Sequence, residues 1–133
     1  MRIKKVNLPT GCHLFKALSE DARLRILHLI YRNEEMCISD LEIILDFTQT
    51  KTSRHLNYLK NAGLLNSRKQ DHWVFYSIKE AMQDIVTSLL TIVDTDPRLV
   101  KDQEVFEIMY TNRELALYKS QKNHWRNRHQ FDF

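Results

Sequence analysis

Apolar residues recur at intervals of three and four from residue 14 to about residue 62, alternate between residues 64 and 78, and then return to the helical interval. The pattern therefore predicts helices with one interruption by strands. The run "CHLFKAL" sets Leu14, Phe15 and Leu18 on one side of a short first helix, and "SEDARLRILHLIYRN" sets Leu24, Leu27, Ile30 and Tyr31 on one side of a second, with Ser19 as its N-cap. A third helix over Ile38 to Leu45 buries Leu41, Ile44 and Leu45 and leaves Asp40, Glu42 and Asp46 wet. Phe47 closes it. Thr48 caps a fourth helix from Gln49 to Ala62, and Gly63 stops that helix, because a left-handed C-cap costs glycine little.

After Gly63 the period becomes two. "LLNSRK" and "WVFYSI" read as strands joined by "QDH" into a hairpin, with Val74, Tyr76 and Ile78 inward and Trp73 and Phe75 on the other side. The fifth helix, "EAMQDIVTSLLTIVD", carries Met82, Ile85, Val86, Leu89, Leu90, Ile92 and Val93 around more than one face. One small core cannot hide so wide an apolar surface, so a helix of a second subunit is expected to cover the rest. Pro97 suits the first turn of a further helix. "TNRE" at 111–114 reads as a capping box that divides the C-terminal segment near Tyr110, and the chain from Lys119 onward is basic and polar.

Composition narrows the classes. At 133 residues, 43% hydrophobic and 28% charged, the chain suits one modest core. No apolar run approaches the roughly 20 residues of a membrane span. "MRIKKVNLPTGC" lacks the apolar stretch of a secretory signal, and "LPTGC" lacks the hydrophobic run of a lipoprotein cleavage box. Two cysteines, Cys12 and Cys37, suit a reducing cytoplasm, which is the expected location. Two glycines, Gly11 and Gly63, cannot build a phosphate loop or a dinucleotide fingerprint. No nucleophile is spaced against a base, and no two-histidine helix motif surrounds a glutamate. An enzyme is not expected.

The net charge of +3 is ordinary, but its distribution is not. Residues 34–46 hold five acids and no base, whereas residues 48–70 hold Lys51, Arg54, Lys60, Arg68 and Lys69 and no acid. Around the fourth helix, Thr52, Leu56 and Leu59 point one way and Thr50, Ser53, Arg54, Asn57 and Asn61 the other, with Lys51 and Tyr58 to the side; Gln49 and His55 fall nearer the packed side. Small hydroxyls, amides and cations on one face can donate to phosphates and base edges without filling a DNA groove. A short helix, a tight turn, this acid-free helix and a hairpin with Arg68, Lys69 and His72 make the order of a winged helix-turn-helix. The expected fold is mainly α with a small β-hairpin. It comprises a DNA-binding and dimerisation domain over 8–94, a C-terminal helical extension over 95–122 and a frayed basic tail over 123–133.

"LFKALSEDARLRILHLI", "MCISDL", "TQTKTSRHLNYLKNAGLL" and "WVFYSI" occur in the order in which the arsenic-repressor (ArsR/SmtB) family of bacterial transcription factors carries similar runs, and the chain resembles that family over about residues 12–94. The resemblance implies a transcriptional regulator, in most members a repressor, that binds double-stranded operator DNA as a homodimer built on the first and fifth helices. It implies DNA contact at or near Gln49, Thr50, Ser53, Arg54 and His55. With the residues around them, the candidate DNA set is Thr48, Gln49, Thr50, Lys51, Ser53, Arg54, His55, Asn57, Tyr58, Arg68, Lys69 and His72. The candidate dimer set is Leu14, Phe15, Met82, Ile85, Val86, Leu89, Ile92 and Val93.

Members of that family often carry Glu-Leu-Cys-Val-Cys-Asp-Leu in the third helix and release DNA when a metal or metalloid binds it. This chain reads "EMCISDL": Cys37 keeps the first thiol, and Ser39 replaces the second. Cys12, with His13, could complete a thiophilic metal or metalloid site with Cys37 across subunits, or the two thiols could form a reversible disulfide; alternatively both are small packed hydrophobes. The family's second metal site needs a histidine on the fifth helix, and that helix has none. His28 reads as a packed residue, and His124 and His129 sit in the irregular tail. A rival role is a winged helix that docks protein through its C-terminal helices.

Overall fold

The structure, a computed structural model, describes residues 3–121. The first helix starts earlier than the apolar spacing predicts. Pro9 occupies its first turn and the Asn7 side chain accepts the Thr10 N–H at 2.9 Å, so α1 spans Leu8–Ala17. Ser19 is not the cap of the next helix. Its hydroxyl donates back to the Lys16 carbonyl at 2.8 Å, and α2, Asp21–Asn33, begins after Glu20 without a side-chain cap. Ile26, Leu27, Leu29 and Ile30 make α2 the centre of the core, each buried to within 1% of full.

A short strand absent from the pattern, β1 at Glu35–Cys37, leads into α3, Ile38–Leu45. Three residues are too few for an alternation to register. Asp46 turns left-handed at φ 56°, and Thr48 accepts the Lys51 N–H at 3.1 Å to open α4, Gln49–Asn61. The tight turn between α3 and α4 is as expected. Gly63 has φ +84°, and an added Cβ there would meet no atom within 4 Å, so its backbone conformation is what calls for glycine.

Strands β2, Leu65–Gln70, and β3, Trp73–Ile78, form the hairpin, and β1 adds to the far side of β3 to give an antiparallel sheet ordered β1-β3-β2. The two-residue turn is Asp71-His72, with Asp71 at φ 55°, a conformation that aspartate tolerates in place of glycine. The expected facing of β3 is partly wrong. Tyr76 and Ile78 are buried as predicted, but Phe75 is buried deeper than either, at 1% exposure, while Val74 and Trp73 are half-buried. Strand parity puts Phe75 on the face that carries Gln70, and there Ser120 of the C-terminal segment donates to the Gln70 amide oxygen at 2.8 Å. The extension thus reaches this face of the hairpin at Gln70, while Arg68 lies over the Phe75 ring.

A 3-10 turn at Glu80–Met82 leads into α5, Gln83–Thr91, and then α6, Pro97–Thr111. α6 runs parallel to α2, because Arg98 meets Asp21, Asp102 meets Arg25 and Gln103 meets Asn33 in the same order along both helices. Arg25 grips Asp102 with two bonds of 2.9 Å, and the Asn33 and Gln103 amides exchange bonds of 2.9 and 3.0 Å.

Residues 111–114 close α6 rather than cap the next helix, with Arg113 left-handed at φ 63°. The cap comes from 76 residues away: Asp40, expected to be wet, is 1% exposed and accepts the N–H groups of Ala116 and Leu117 at 2.8 and 2.9 Å. A helical segment then runs over 116–121. Phe106, Leu115, Ala116 and Leu117 join the same core as α2, so residues 95–121 pack as part of one unit with the winged helix. The basic tail predicted for 123–133, with His124 and His129, lies outside the described residues. Among the described residues, no helix is long and apolar enough to cross a membrane.

Candidate nucleic-acid interface

Three turns of α4 carry the candidate residues. Thr52, Leu56 and Leu59 point into the core, and the Thr52 hydroxyl donates to the Thr48 carbonyl at 2.8 Å, which holds the first turn closed. Gln49, Thr50, Lys51, Arg54, Asn57, Lys60 and Asn61 are exposed, Ser53 is half-buried, and no acid interrupts them. Gln49, which the helical wheel set nearer the packed side, faces outward because it opens the helix. The N-capping Thr48 is also exposed. Lys51 Nζ lies 4.0 Å above the Phe47 ring, which steadies its stem beside the turn.

His55 is not on this surface. It is 2% exposed, with Nδ1 3.5 Å from Arg23 Nη1 and Nε2 3.5 Å from Glu20 Oε1. Burial pushes its pKa down, against a smaller opposing pull from Glu20. Its wheel position was correct; the contact implied by family resemblance is replaced by packing against α2. Tyr58 is half-buried under the Arg23 guanidinium, 4.1 Å from ring centroid to carbon, and edge-on to His13 at 5.4 Å.

Arg23 is a positioning residue absent from the sequence-based candidates. It donates to the carbonyls of Ala17 at 2.8 Å and Lys16 at 3.0 Å and pairs with Glu20 at 2.9 Å, so it ties the end of α1 and the start of α2 to the buried side of α4. A signal existed: Arg23 precedes Ile26, Leu27 and Ile30 by three, four and seven positions, which puts a cation on an apolar stripe.

The wing divides its charges. Arg68 is bound to Glu35 through two bonds of 3.0 and 2.7 Å, donates to Gln70 at 2.8 Å and lies over Phe75 at 4.5 Å. Its charge is compensated by β1. Lys69 and His72 are exposed beside the turn, and Lys69 makes no ion pair among the described residues. Lys60 Nζ donates to the Ser67 hydroxyl at 2.7 Å and links α4 to the wing.

The candidate dimer residues split. Leu14, Met82 and Val86 are buried in the chain's own core, Val86 at the floor of the groove between α1, α2 and α5. Phe15 is 65% and Ile92 76% exposed, and Ile85, Leu89 and Val93 are half-buried around them. Phe15, Leu18, Leu24, Leu89, Ile92 and Val93 line one apolar groove between α1, α2 and α5.

Cys12 is exposed and Cys37 buried, and both are free thiols. Cys37 Sγ sits 3.3 Å from the Ser39 hydroxyl, where a closed thiophilic site needs another thiolate. Neither joins a group of three or more ligating side chains among the described residues. Of the remaining acids of α3, Glu42 is half-buried, not wet, with Oε1 unpartnered, and Asp46 is exposed as expected.

A helix-turn-helix with an exposed, acid-free second helix, followed by a β-hairpin wing that β1 completes into a three-stranded sheet, defines a winged-helix DNA-binding protein. A model of the bacterial regulatory proteins of the arsR family matches residues 20–67, and the chain belongs to that family. The arsenic resistance transcriptional regulator ArsR1 of Pseudomonas putida is 37% identical over 84 residues, covering 62% of this chain and 66% of the relative. The arsenical resistance operon repressor of Escherichia coli is 46% identical over 65 residues, covering 49% and 56%. Among solved structures, a homodimeric winged helix-turn-helix DNA-binding domain from Mycobacterium bovis, a possible ArsR-family regulator, superposes with a TM-score of 0.60 at 25% identity, covering 65% of this chain and 81% of that one. The chain thus spans about half to two thirds of the length of the two relatives. Residues 97–121 extend well beyond the family match.

Proposed function

We propose that this transcriptional regulator is a homodimeric repressor whose two α4 helices enter successive major grooves of an operator. The carrying observation is the exposed face of Gln49, Thr50, Ser53, Arg54 and Asn57, which combines cationic, hydroxyl and amide donors and contains no acid. Lys51 and Lys69 flank that face and serve the phosphates. Two such helices related by a two-fold axis read half-sites about 34 Å apart or a multiple of it.

The dimer reading is supported by the apolar groove between α1, α2 and α5, because Phe15 and Ile92 are large side chains that water alone would otherwise face. Residues 8–94 carry reading and dimerisation, and residues 95–121 brace α2, α3 and the wing. Repression follows the E. coli relative named a repressor. Ser39, 3.3 Å from Cys37 Sγ, stands where the family's metalloid motif carries its second thiol.

Selection of bound duplexes from a random pool, followed by titration at several salt concentrations, tests this reading. A dimer with ~6 to 10 phosphate contacts loses on the order of a thousandfold or more in affinity between 50 and 200 mM salt, and the selected site is palindromic. A flat salt response, or a strictly monomeric protein in sedimentation, contradicts it.

A further inference from the structure

Strand parity divides β2 into two faces, with Ser67 and Lys69 on one and Arg68 and Gln70 on the other. A different element holds each face. Lys60 of α4 donates to the Ser67 hydroxyl at 2.7 Å, and Ser120 of the C-terminal segment donates to the Gln70 amide oxygen at 2.8 Å. The hairpin is thus fastened on one face to the groove helix and on the other to the extension. Gln70 is the last residue of β2 before the wing turn, and it directly follows the exposed Lys69.

The two fastenings are not equivalent. Lys60 and Ser67 are exposed, so water competes for their bond. Ser120 is 2% exposed, Leu115 and Leu117 beside it are no more so, and the buried Asp40 carboxylate of α3 caps the segment through the Ala116 and Leu117 N–H groups. The bond to Gln70 therefore starts from a fixed base. Arg68 Nη1 also donates to the Gln70 amide oxygen at 2.8 Å, but Arg68 and its partner Glu35 both belong to the sheet and cannot set the angle of the sheet to the rest of the molecule.

We propose that Ser120 and Gln70 are positioning residues for DNA binding: their bond fixes the angle of the wing tip to α4, so that Lys69 meets a phosphate while α4 lies in the groove. The proposal rests on the reading of α4 as the groove helix and of Lys69 as a phosphate contact. A tip released from Ser120 samples a range of angles, and the cost of ordering it on DNA is subtracted from affinity. The bond carries no base information, so its loss weakens binding to all sequences alike.

The test uses the full chain with Ser120→Ala, Gln70→Leu and Lys69→Ala, and each of the first two combined with Lys69→Ala. All are titrated on the selected duplex at several salt concentrations. Lys69→Ala should lower the log-log salt slope of the dimer by about 2, one phosphate per subunit. Ser120→Ala and Gln70→Leu should each reproduce part of that fall and weaken binding about three- to tenfold at low salt, the worth of one ordinary hydrogen bond, with base preference unchanged. In the Lys69→Ala background either should add less than about twofold, because the contact it serves is already gone. Should Ser120→Ala prove poorly folded by circular dichroism, Gln70→Leu at its half-buried position decides alone.

Wild-type affinity and slope in the folded variants overturn the proposal. So does a full loss that persists in the Lys69→Ala background, which would make the bond a matter of stability only, and so does a changed base preference, which would place the effect at α4. If Lys69→Ala itself leaves the salt slope unchanged, the phosphate contact of the wing fails first and this inference falls with it.

Discussion

Arg23 Nη1 lies 3.5 Å from His55 Nδ1, so the buried side of α4 meets a cation of α2 rather than a hydrophobic side chain. The same guanidinium satisfies the carbonyls that end α1, which makes it a hub between three helices. Arg23→Met leaves two carbonyls without that donor and Glu20 without its partner. Unfolding in urea should show a loss of about 1–3 kcal/mol, the cost of leaving buried acceptors without their donor, since the pair with the half-exposed Glu20 adds little. DNA affinity should fall as well, although Arg23 touches no DNA, because α4 loses its brace. Wild-type stability in that variant would remove the positioning role.

His28 and His55 set the acid side of the stability profile. Burial is the largest cause holding both below the ordinary value of 6.5, and among the described residues neither ring nitrogen of His28 has a hydrogen-bond partner. Below that value the unfolded chain binds protons that the folded chain refuses, so stability is full above about pH 7 and falls as pH drops through the ordinary histidine range. His28→Leu removes one of these groups with a side chain of suitable shape. It should flatten the melting temperature between pH 7 and pH 5 without lowering it at pH 7; an unchanged profile would show that His28 does not titrate on unfolding.

Asp40→Asn tests the long-range cap. One of its two acceptor oxygens becomes an NH2 that faces a backbone N–H, and a buried donor left without an acceptor costs about 1–3 kcal/mol. Hydrogen exchange should rise at the Ala116 and Leu117 amides before it rises in α2. Exchange that rises everywhere together would mean that the C-terminal segment has no separate opening.

On the wing, Arg68 and Lys69 should behave differently although they are neighbours of like charge. Arg68 is already neutralised by Glu35, so Arg68→Ala should change operator affinity by less than about threefold and stability by less than about 1 kcal/mol. Lys69→Ala should weaken binding uniformly across sequences and reduce the salt slope by about one per contact. Glu35→Gln frees Arg68 and should strengthen binding at low salt.

The helices were legible because burial imposes a period, and α2, α3 and α4 each follow one. What the sequence concealed were relations between distant segments. Phe75 reads as outward until β1 pairs with it and Arg68 lies over its ring, and Asp40 reads as wet until the helix it caps is brought to it. His55 shows the same limit in the site: its helical angle points inward, but only the fold supplies the Arg23 and Glu20 that receive it. The outward residues of α4 needed no such partner, which is why the candidate face was readable and its bracing was not.

The central claim is that the outward face of α4 reads bases, and Arg54 is its most direct cationic test. Arg54→Ala should fold like the wild type, since the side chain is exposed on the outer face of the helix. It should bind the selected operator five- to 150-fold more weakly, as expected for about 1–3 kcal/mol of lost base readout, with relaxed preference at one position of each half-site. Wild-type affinity and unchanged sequence preference in that variant, measured by anisotropy on the selected duplex and on single-base substitutions of it, would contradict the account.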